Sequence, residues 1–339
     1  MSERNIAPLP LDAGVIGVGS MGSNHARIYA ELYEVDLVGV ADVDEQQARK
    51  VAAEHNTETM PRAELLEAVD IVSVAVPTRF HDEIVRECID AGVHVLVEKP
   101  FVRNVECGRE LGRLADREDL VLQVGHIERF NPATQVGLEI MPDLDVTALT
   151  THRLGPPVDR DSNDDVVLDL MIHDIDIVLA LVGNDPVASV SASGAANGEY
   201  VIATVEFESG IVADLTASRV TQQKVRDLAI TATECRVAVD YLTQDVEIHR
   251  NSMPEFVTDE QTFKYRHEGV IERPIVENTE PLKAELSSFV EAVVTGTEPK
   301  VTAADGVRAI ELARRIKALA RTNEKRAAVL EDTVLGEND

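Results

Sequence analysis

Gly17, Gly19 and Gly22, with Ser20 and Met21 between them, form a GxGxxG pattern near the start of this 339-residue chain. At a turn from strand to helix, the first glycine permits the tight bend and the second lets a pyrophosphate approach the backbone. The third lets the helix pack closely on the strand. The anion would lie over the helix N-terminus, where free N–H groups favour negative charge. Asp42, twenty positions after Gly22, stands at the offset of a carboxylate that binds adenosine ribose hydroxyls. Its charge would repel a 2′-phosphate, so the pattern predicts NAD in preference to NADP. The bland reading is a cluster of turn glycines followed by a solvated aspartate, and the elements around the pattern must decide between the two.

Two further groups could move protons. Lys99 stands between Glu98 and Pro100 at the end of an apolar run, from where its ammonium could reach a reacting hydroxyl and relay or stabilise a proton. Topology alone fits a snorkelling loop lysine as well, but the chain contains only eight lysines and has set one here. Asp169, His173 and Asp176 repeat at four and three, which puts them on one stripe of a helix. His173 could act as general base on a substrate hydroxyl, with Asp169 supporting its orientation or charge. A solvated helix face would share that spacing. A metal site is the weaker alternative, because no third His or Cys ligand is suggested.

The elements that must position these groups are legible from hydrophobic patterning. Gly14 to Val18 reads as a first strand, and His25, Tyr29 and Leu32 give the segment after Gly22 helical spacing. Val35 to Ala41, Ile71 to Val76, Val93 to Val97 and Leu120 to Val124 are continuous apolar runs, typical of parallel strands buried on both faces. Between them, Asp44 with Gln47 resembles a capping box opening a helix to about His55. Gly92 would end a helix carrying Ile84, Val85, Cys88 and Ile89, and Asn104 would cap another. This alternation predicts a doubly wound α/β Rossmann domain ending near residue 125. In such sheets ligands bind beyond the carboxyl ends of strands. Pro77, Thr78, His81, Glu98, Lys99, Pro100 and the segment 125–131 fall there and are candidate cofactor and substrate contacts.

From about Asp145 the texture changes to alternating apolar and polar positions, in Val146 to His152, Ala188 to Gly194, Val201 to Phe207, Ile211 to Ser218, Arg226 to Thr231 and Arg236 to Tyr241. Such alternation fits an antiparallel sheet with one covered face. The stripe of Asp169 and His173 belongs to a helix predicted over 166–182, with Leu168, Ile172, Ile175, Leu179 and Val182 as its core face. Two helices follow near the end, one with Leu282, Leu286, Phe289, Val290 and Val293 on a face and one capped by Thr302. The domains expected are 1–125, an α+β domain over 126–325, and a loose acidic tail over 326–339.

Composition narrows the function classes. The net charge of −29, from 61 acidic against 32 basic residues, excludes a generic nucleic-acid surface. Because the acids are spread through helices and loops, a salt-rich cytoplasm that screens their mutual repulsion is the expected setting. No apolar run approaches the ~20 residues of a membrane span, and the first residues lack the basic and apolar regions of a secretory signal. Cys88, Cys107 and Cys235 are isolated and read as reduced structural thiols. Absence of Trp and a low aromatic content argue against an aromatic-lined sugar-binding module.

Taken together, GxGxxGxxHxR over Gly17 to Arg27, Asp42, the EKP triplet from Glu98 to Pro100, and the DxxxH pair of Asp169 and His173 resemble the glucose-fructose oxidoreductase, inositol dehydrogenase and MocA family over nearly the whole chain. The resemblance implies a Rossmann domain joined to an open-faced, mainly antiparallel sheet, with NAD(P) bound between them and a dimer or tetramer packing through those sheets. Lys99, Asp169 and His173 would then be the catalytic trio, His173 taking a hydroxyl proton as hydride leaves the same carbon. VGHIERFNPA, from Val124 to Ala133, and LDLMIHDIDI, from Leu168 to Ile177, are similar to UDP-N-acetylglucosamine 3-dehydrogenases and related nucleotide-sugar 3-dehydrogenases. That narrower likeness implies substrate contacts at Arg129, Asn131 and Asp176. Arg153 would be a further candidate, because guanidinium can grip a diphosphate bidentately. A surface ion pair is the competing role for each arginine. The expected reaction is oxidation of the 3-hydroxyl of a UDP-N-acetylhexosamine. A simple sugar, sugar-phosphate or inositol dehydrogenase and a non-catalytic NAD-binding regulator are the alternatives.

Overall fold

A computed structural model describes residues 9–157, 165–251, 255–259, 262–266 and 269–335. The chain forms two compact units, one from residues 1–130 with 279–311, the other from 131–278 with 312–339.

The first unit is built on six strands: β1 (Leu11–Ile16), β2 (Val35–Ala41), β3 (Glu58–Thr59), β4 (Ile71–Val74), β5 (His94–Glu98) and β6 (Leu122–Gly125). All pairings are parallel and the order is β3-β2-β1-β4-β5-β6, a doubly wound sheet whose strand order reverses between β1 and β4. Burial of β4 at every position explains why it reads as an unbroken apolar run. Helices α1 (Ser20–Glu31), α2 (Glu45–His55), α3 (Arg62–Ala68), α4 (His81–Asp90) and α5 (Val105–Arg117) alternate with the strands. Asn104 caps α5, its side chain accepting the Glu106 N–H at 2.9 Å. Asp44 caps α2 by accepting the N–H of Gln46 and Gln47 at 3.0 and 3.1 Å. The reciprocal half of the expected capping box is absent: the Gln47 amide instead donates to the Val18 carbonyl at 2.8 Å, tying α2 to the glycine turn.

The second unit opens with α6 (Pro132–Ile140), and α7 (Ile172–Val182) follows strand β7 (Val146–Leu154). Its sheet adds β8 (Val187–Ala195), β9 (Tyr200–Phe207), β10 (Val212–Ser218), β11 (Val225–Ala232), β12 (Arg236–Asp240) and β13 (Asp245–Asn251). A separate hairpin pairs β14 (Glu255–Asp259) with β15 (Thr262–Arg266), and β16 (Gly269–Glu272) closes the large sheet. The order is β16-β13-β12-β11-β7-β10-β9-β8, antiparallel except for β7 beside β10. That parallel pair makes the sheet mixed, and it sets the carboxyl ends of β7 and β10 side by side, with Leu154 opposite Ser218. One face is buried, through Leu149, Thr151 and Arg153 on β7 and Ala213, Leu215 and Ala217 on β10. The other face is polar: Thr204 donates to Asp214 at 2.7 Å and Ser189 to Glu206 at 3.0 Å.

The last two helices, α8 (Pro281–Thr295) and α9 (Ala303–Leu335), follow the second sheet in sequence, yet 279–311 packs with the first unit. Leu282, Leu286, Phe289 and Val290 of α8 join Leu11, Val15, Ile28 and Tyr29 in one core cluster. Thr302 caps α9, its hydroxyl accepting the Asp305 N–H at 3.1 Å while Asp305 accepts the Thr302 N–H at 2.9 Å. Since α9 runs to Leu335, only 336–339 of the segment expected to be loose lies outside the described residues.

Candidate functional site

In the first unit, the turn from β1 to α1 is shaped by its glycines. Gly17 has φ +86°, and a Cβ there would lie 2.7 Å from Val76 and 2.9 Å from the Ala75 backbone. A Cβ on Gly22 would stand 1.8 Å from the Gly17 carbonyl oxygen, so helix and strand touch backbone to backbone. No atom lies within 4 Å of where a Cβ on Gly19 would be. That open ground sits over the N-terminus of α1, which has no side-chain cap, and Ser20 and Met21 beside it are exposed. Unused N–H donors with open space above them are what a pyrophosphate requires. Asp42, half-buried at the end of β2, accepts the N–H of Val18 at 2.6 Å and of Asp44 at 2.8 Å. Its carboxylate is thereby oriented beside the glycine turn, with further lone pairs for ribose hydroxyls. These features fit a dinucleotide.

Pro77 and Thr78 begin a short turn after β4. His81 is fully buried. Its Nδ1 lies 3.1 and 3.0 Å from the carbonyl oxygens of Pro100 and Phe101, and its Nε2 lies 2.8 Å from that of Val76. The side chain expected to touch a cofactor thus braces the backbone beside Lys99, and burial holds its pKa below the ordinary value despite those carbonyls. Glu98 is also inside. Its Oε1 lies 3.1 Å from His25 Nε2, and its Oε2 accepts the Lys99 N–H at 3.2 Å. His25 Nδ1 meets the Ser73 hydroxyl at 2.9 Å, which meets the Tyr29 hydroxyl at 2.8 Å. Burial pushes the Glu98 carboxyl up, but the His25 hydrogen bond and charge, with Lys99, outweigh it and hold the pKa below the usual value. Lys99, half-buried at the end of β5, therefore follows a carboxylate fixed from behind by the histidine of the GxGxxGxxH segment. Arg129 is 8% exposed, in the turn Ile127–Phe130, with its guanidinium 3.8 Å from Asp305.

In the second unit, the helix expected over 166–182 begins with a π-turn, Val167–Met171, before α7. The wider turn shifts the phase: Val167 and Met171 are buried where Leu168 was expected, and Leu168 is only half-buried. Asp165 caps it, accepting the N–H of Val167 and Leu168 at 3.2 and 3.1 Å, while its carbonyl accepts the Asp169 N–H at 3.0 Å. Lys317 of α9 reaches the Asp165 carboxylate. Asp169 and His173 are half-buried. Arg219 Nη2 donates to Asp169 Oδ2 at 2.6 Å. Asp176, expected at the substrate, is 1% exposed and so lies within the fold.

Arg153 and Asn131 have internal tasks. Arg153, 4% exposed, grips Asp174 through Nε and Nη2, each at 2.8 Å, and its guanidinium lies 5.6 Å from the Tyr241 ring centre. The edge that would take a diphosphate holds β7 to α7 instead. Asn131 caps α6 through the Ala133 N–H at 3.1 Å, and its amide donates to the Tyr241 carbonyl at 3.1 Å. Sequence reading passed over Asp174, although its place between Ile172 and Ile175 was a signal, since a carboxylate among buried apolar neighbours needs a partner. His25 stood in the GxGxxGxxHxR segment without an assigned role, and Arg219 gave no comparable signal. Among the described residues, no group of three or more His, Cys, Asp or Glu could hold a metal ion.

Comparison with known proteins gives these arrangements a context. Residues 11–126 match the family model GFO_IDH_MocA, an oxidoreductase family with an NAD-binding Rossmann fold, and residues 158–328 match the model of its C-terminal alpha/beta domain. UDP-N-acetylglucosamine 3-dehydrogenase of Acidithiobacillus ferrooxidans is 38% identical over 241 residues, 70% of this chain and 76% of that protein. The structure of GnnA, the enzyme of that name from the same organism, superposes with a TM-score of 0.84 at 31% identity, covering 92% of this chain and 98% of the other. Inositol 2-dehydrogenase of Rhizobium meliloti is 26% identical over 318 residues, 88% of this chain and 94% of its own.

Proposed function

The chain belongs to the GFO_IDH_MocA family of NAD-binding oxidoreductases, and from that membership we propose that it oxidises the 3-hydroxyl of UDP-N-acetylglucosamine to a 3-keto nucleotide sugar. The observation that carries this reading is its likeness to the UDP-N-acetylglucosamine 3-dehydrogenase over 92% of the chain. NAD, when bound, accepts the hydride from the carbinol carbon. The chain supplies the rest. Gly17, Gly19 and Gly22 shape the turn that receives pyrophosphate, and Asp42 receives ribose hydroxyls. His173 takes the hydroxyl proton, Asp169 supports it, and Lys99 stabilises or relays charge at the reacting oxygen. Arg129, Asn131, Arg153 and Asp176 are the substrate contacts of this reading, Arg153 also gripping Asp174 and Asn131 capping α6.

The same reading extends to setting: a homodimer or homotetramer formed through the open face of the second sheet, in a salt-rich cytoplasm. The net charge of −29 supports the salt-rich setting. Among the described residues, no helix is long and apolar enough to cross a membrane.

The test follows absorbance of reduced nicotinamide in about 2 M KCl, where charges are screened within a few Å. UDP-N-acetylglucosamine is offered beside glucose, glucose 6-phosphate and myo-inositol. Turnover confined to the UDP-sugar is the expected result. Turnover with inositol would favour a second reading, an inositol dehydrogenase, which the engagement of Arg153 by Asp174 keeps open. Lys99→Met should abolish turnover and leave NAD binding intact; if no substrate is oxidised while NAD still binds, the protein is an NAD-binding regulator.

A further inference from the structure

Arg219 follows directly on β10, an interior strand, and its backbone N–H donates to the Glu199 carbonyl at 2.9 Å, so its main chain is fixed. Its side chain is 13% exposed. Among the described residues, the guanidinium reaches the carboxylates of Asp169 at 2.6 Å and Glu199 at 3.7 Å, Asp169 being the nearer. Asp169 sits in the π-turn, a widened turn that is frequent at functional sites. The backbone of that turn is held by Asp165, which Lys317 holds in turn, whereas the Asp169 carboxylate is held from β10 by Arg219. Two elements thus fix the main chain and the side chain of one residue.

We propose that Arg219 is a positioning residue, which holds Asp169 as an oriented carboxylate on the turn that leads into His173. Ion pairs of such partial exposure add little to folding. Their value lies in geometry: a catalytic carboxylate free to rotate loses the alignment on which rate depends. Guanidinium suits the task because its planar fork constrains the carboxylate in direction as well as charge. The inference rests on the proposed roles of Asp169 and His173 in the reaction.

Arg219→Gln, Arg219→Lys and Arg117→Gln test it in the full-length protein, the last making the same charge change at an exposed position on α5. In Arg219→Gln, kcat with whichever substrate the wild type oxidises should fall roughly 10- to 100-fold, as expected for a lost hydrogen bond to a charged group. KM for NAD and the melting temperature should hold, Arg219→Lys should recover part of kcat, and Arg117→Gln should match wild type. In a crystal structure of Arg219→Gln without substrate, the Asp169 carboxylate should leave its wild-type direction. Wild-type kcat in Arg219→Gln, or an equal loss in Arg117→Gln, would overturn the inference while leaving the enzyme reading intact. A wild type that oxidises nothing would sink the enzyme reading. In that case a turned Asp169 carboxylate in Arg219→Gln would keep the clamp, and an unmoved one would remove it.

Discussion

Gly19 and Gly22 stand three residues apart and answer to different constraints, which a methyl group can separate. At Gly22 the methyl would lie 1.8 Å from the Gly17 carbonyl oxygen, a backbone atom that cannot swing aside. Gly22→Ala should therefore lower stability by about 1–3 kcal/mol, as overpacking does, and weaken NAD binding as the turn opens. At Gly19 the methyl would meet no protein atom within 4 Å. Alanine is a poorer N-cap than glycine, but it also reduces the entropy of the unfolded chain. Gly19→Ala should thus stay within about 1 kcal/mol of wild type in stability while losing NAD affinity, since the methyl takes space needed by pyrophosphate. Calorimetric titration beside thermal melting checks both variants, and undiminished NAD affinity in Gly19→Ala would place the dinucleotide elsewhere. Gly22 was legible in the sequence because backbone contact leaves no other residue type, and Gly19 because its spacing from Gly17 and Gly22 completes the pattern. His81 and Arg153 were legible only as chemically capable: residue type tells what a side chain can bind, and not whether it faces a crevice or a carbonyl inside the fold.

Among the elements, α7 shows how far periodicity reaches. Spacings of four and three located the helix, but the π-turn at its start moved Leu168 off the core face and Val167 and Met171 onto it. Period counting assumes a constant twist. The element is held to β7 by Arg153 and Asp174, 4% and 1% exposed, so removing one takes a close counter-charge from a buried group. Arg153→Met or Asp174→Leu should each cost about 3–5 kcal/mol, and the double substitution less than their sum; additive losses in urea unfolding would show that the two side chains act separately. Strands β5 and β6 carry a pH-dependent link. His94 Nδ1 accepts the Val121 N–H at 2.9 Å, which requires that nitrogen unprotonated, and burial holds the His94 pKa below its ordinary value against the opposing charge of Asp70. The folded state then resists a proton that the unfolded chain accepts. This contribution is complete above about pH 6.5 and is lost as pH falls below it. Replacing His94 with Gln should flatten the fall in melting temperature on the acid side of that point. An unchanged slope would assign the loss to His81, which burial shifts in the same direction.

At the scale of the whole molecule, the return of 279–311 to the first unit was not readable in advance. The apolar face of α8 announces that it is buried, and nothing in its spacing says against which sheet. Net charge is the opposite case, since it is fully given by the sequence and its consequence depends on the solvent. Salt acts on this chain in two directions. It weakens exposed pairs such as Arg49 with Glu45 and Arg62 with Glu87, each worth roughly 0–1 kcal/mol. It also relieves repulsion among the acids, of which 61 face only 32 basic residues. Pairing can neutralise at most the basic residues, which leaves an excess of 29 negative charges. The Debye length falls from about 10 Å at 0.1 M to about 3 Å at 1 M, so repulsion between neighbouring carboxylates drops steeply over that range. The buried Arg153 and Asp174 pair is screened much less. Relief of repulsion should therefore win, and the melting temperature should rise between about 0.1 M and 2 M KCl. Melting curves at fixed pH across that range decide the matter: a flat or falling midpoint would mean that the surface pairs already balance the acidic field, and the acidity would then call for an explanation other than salt.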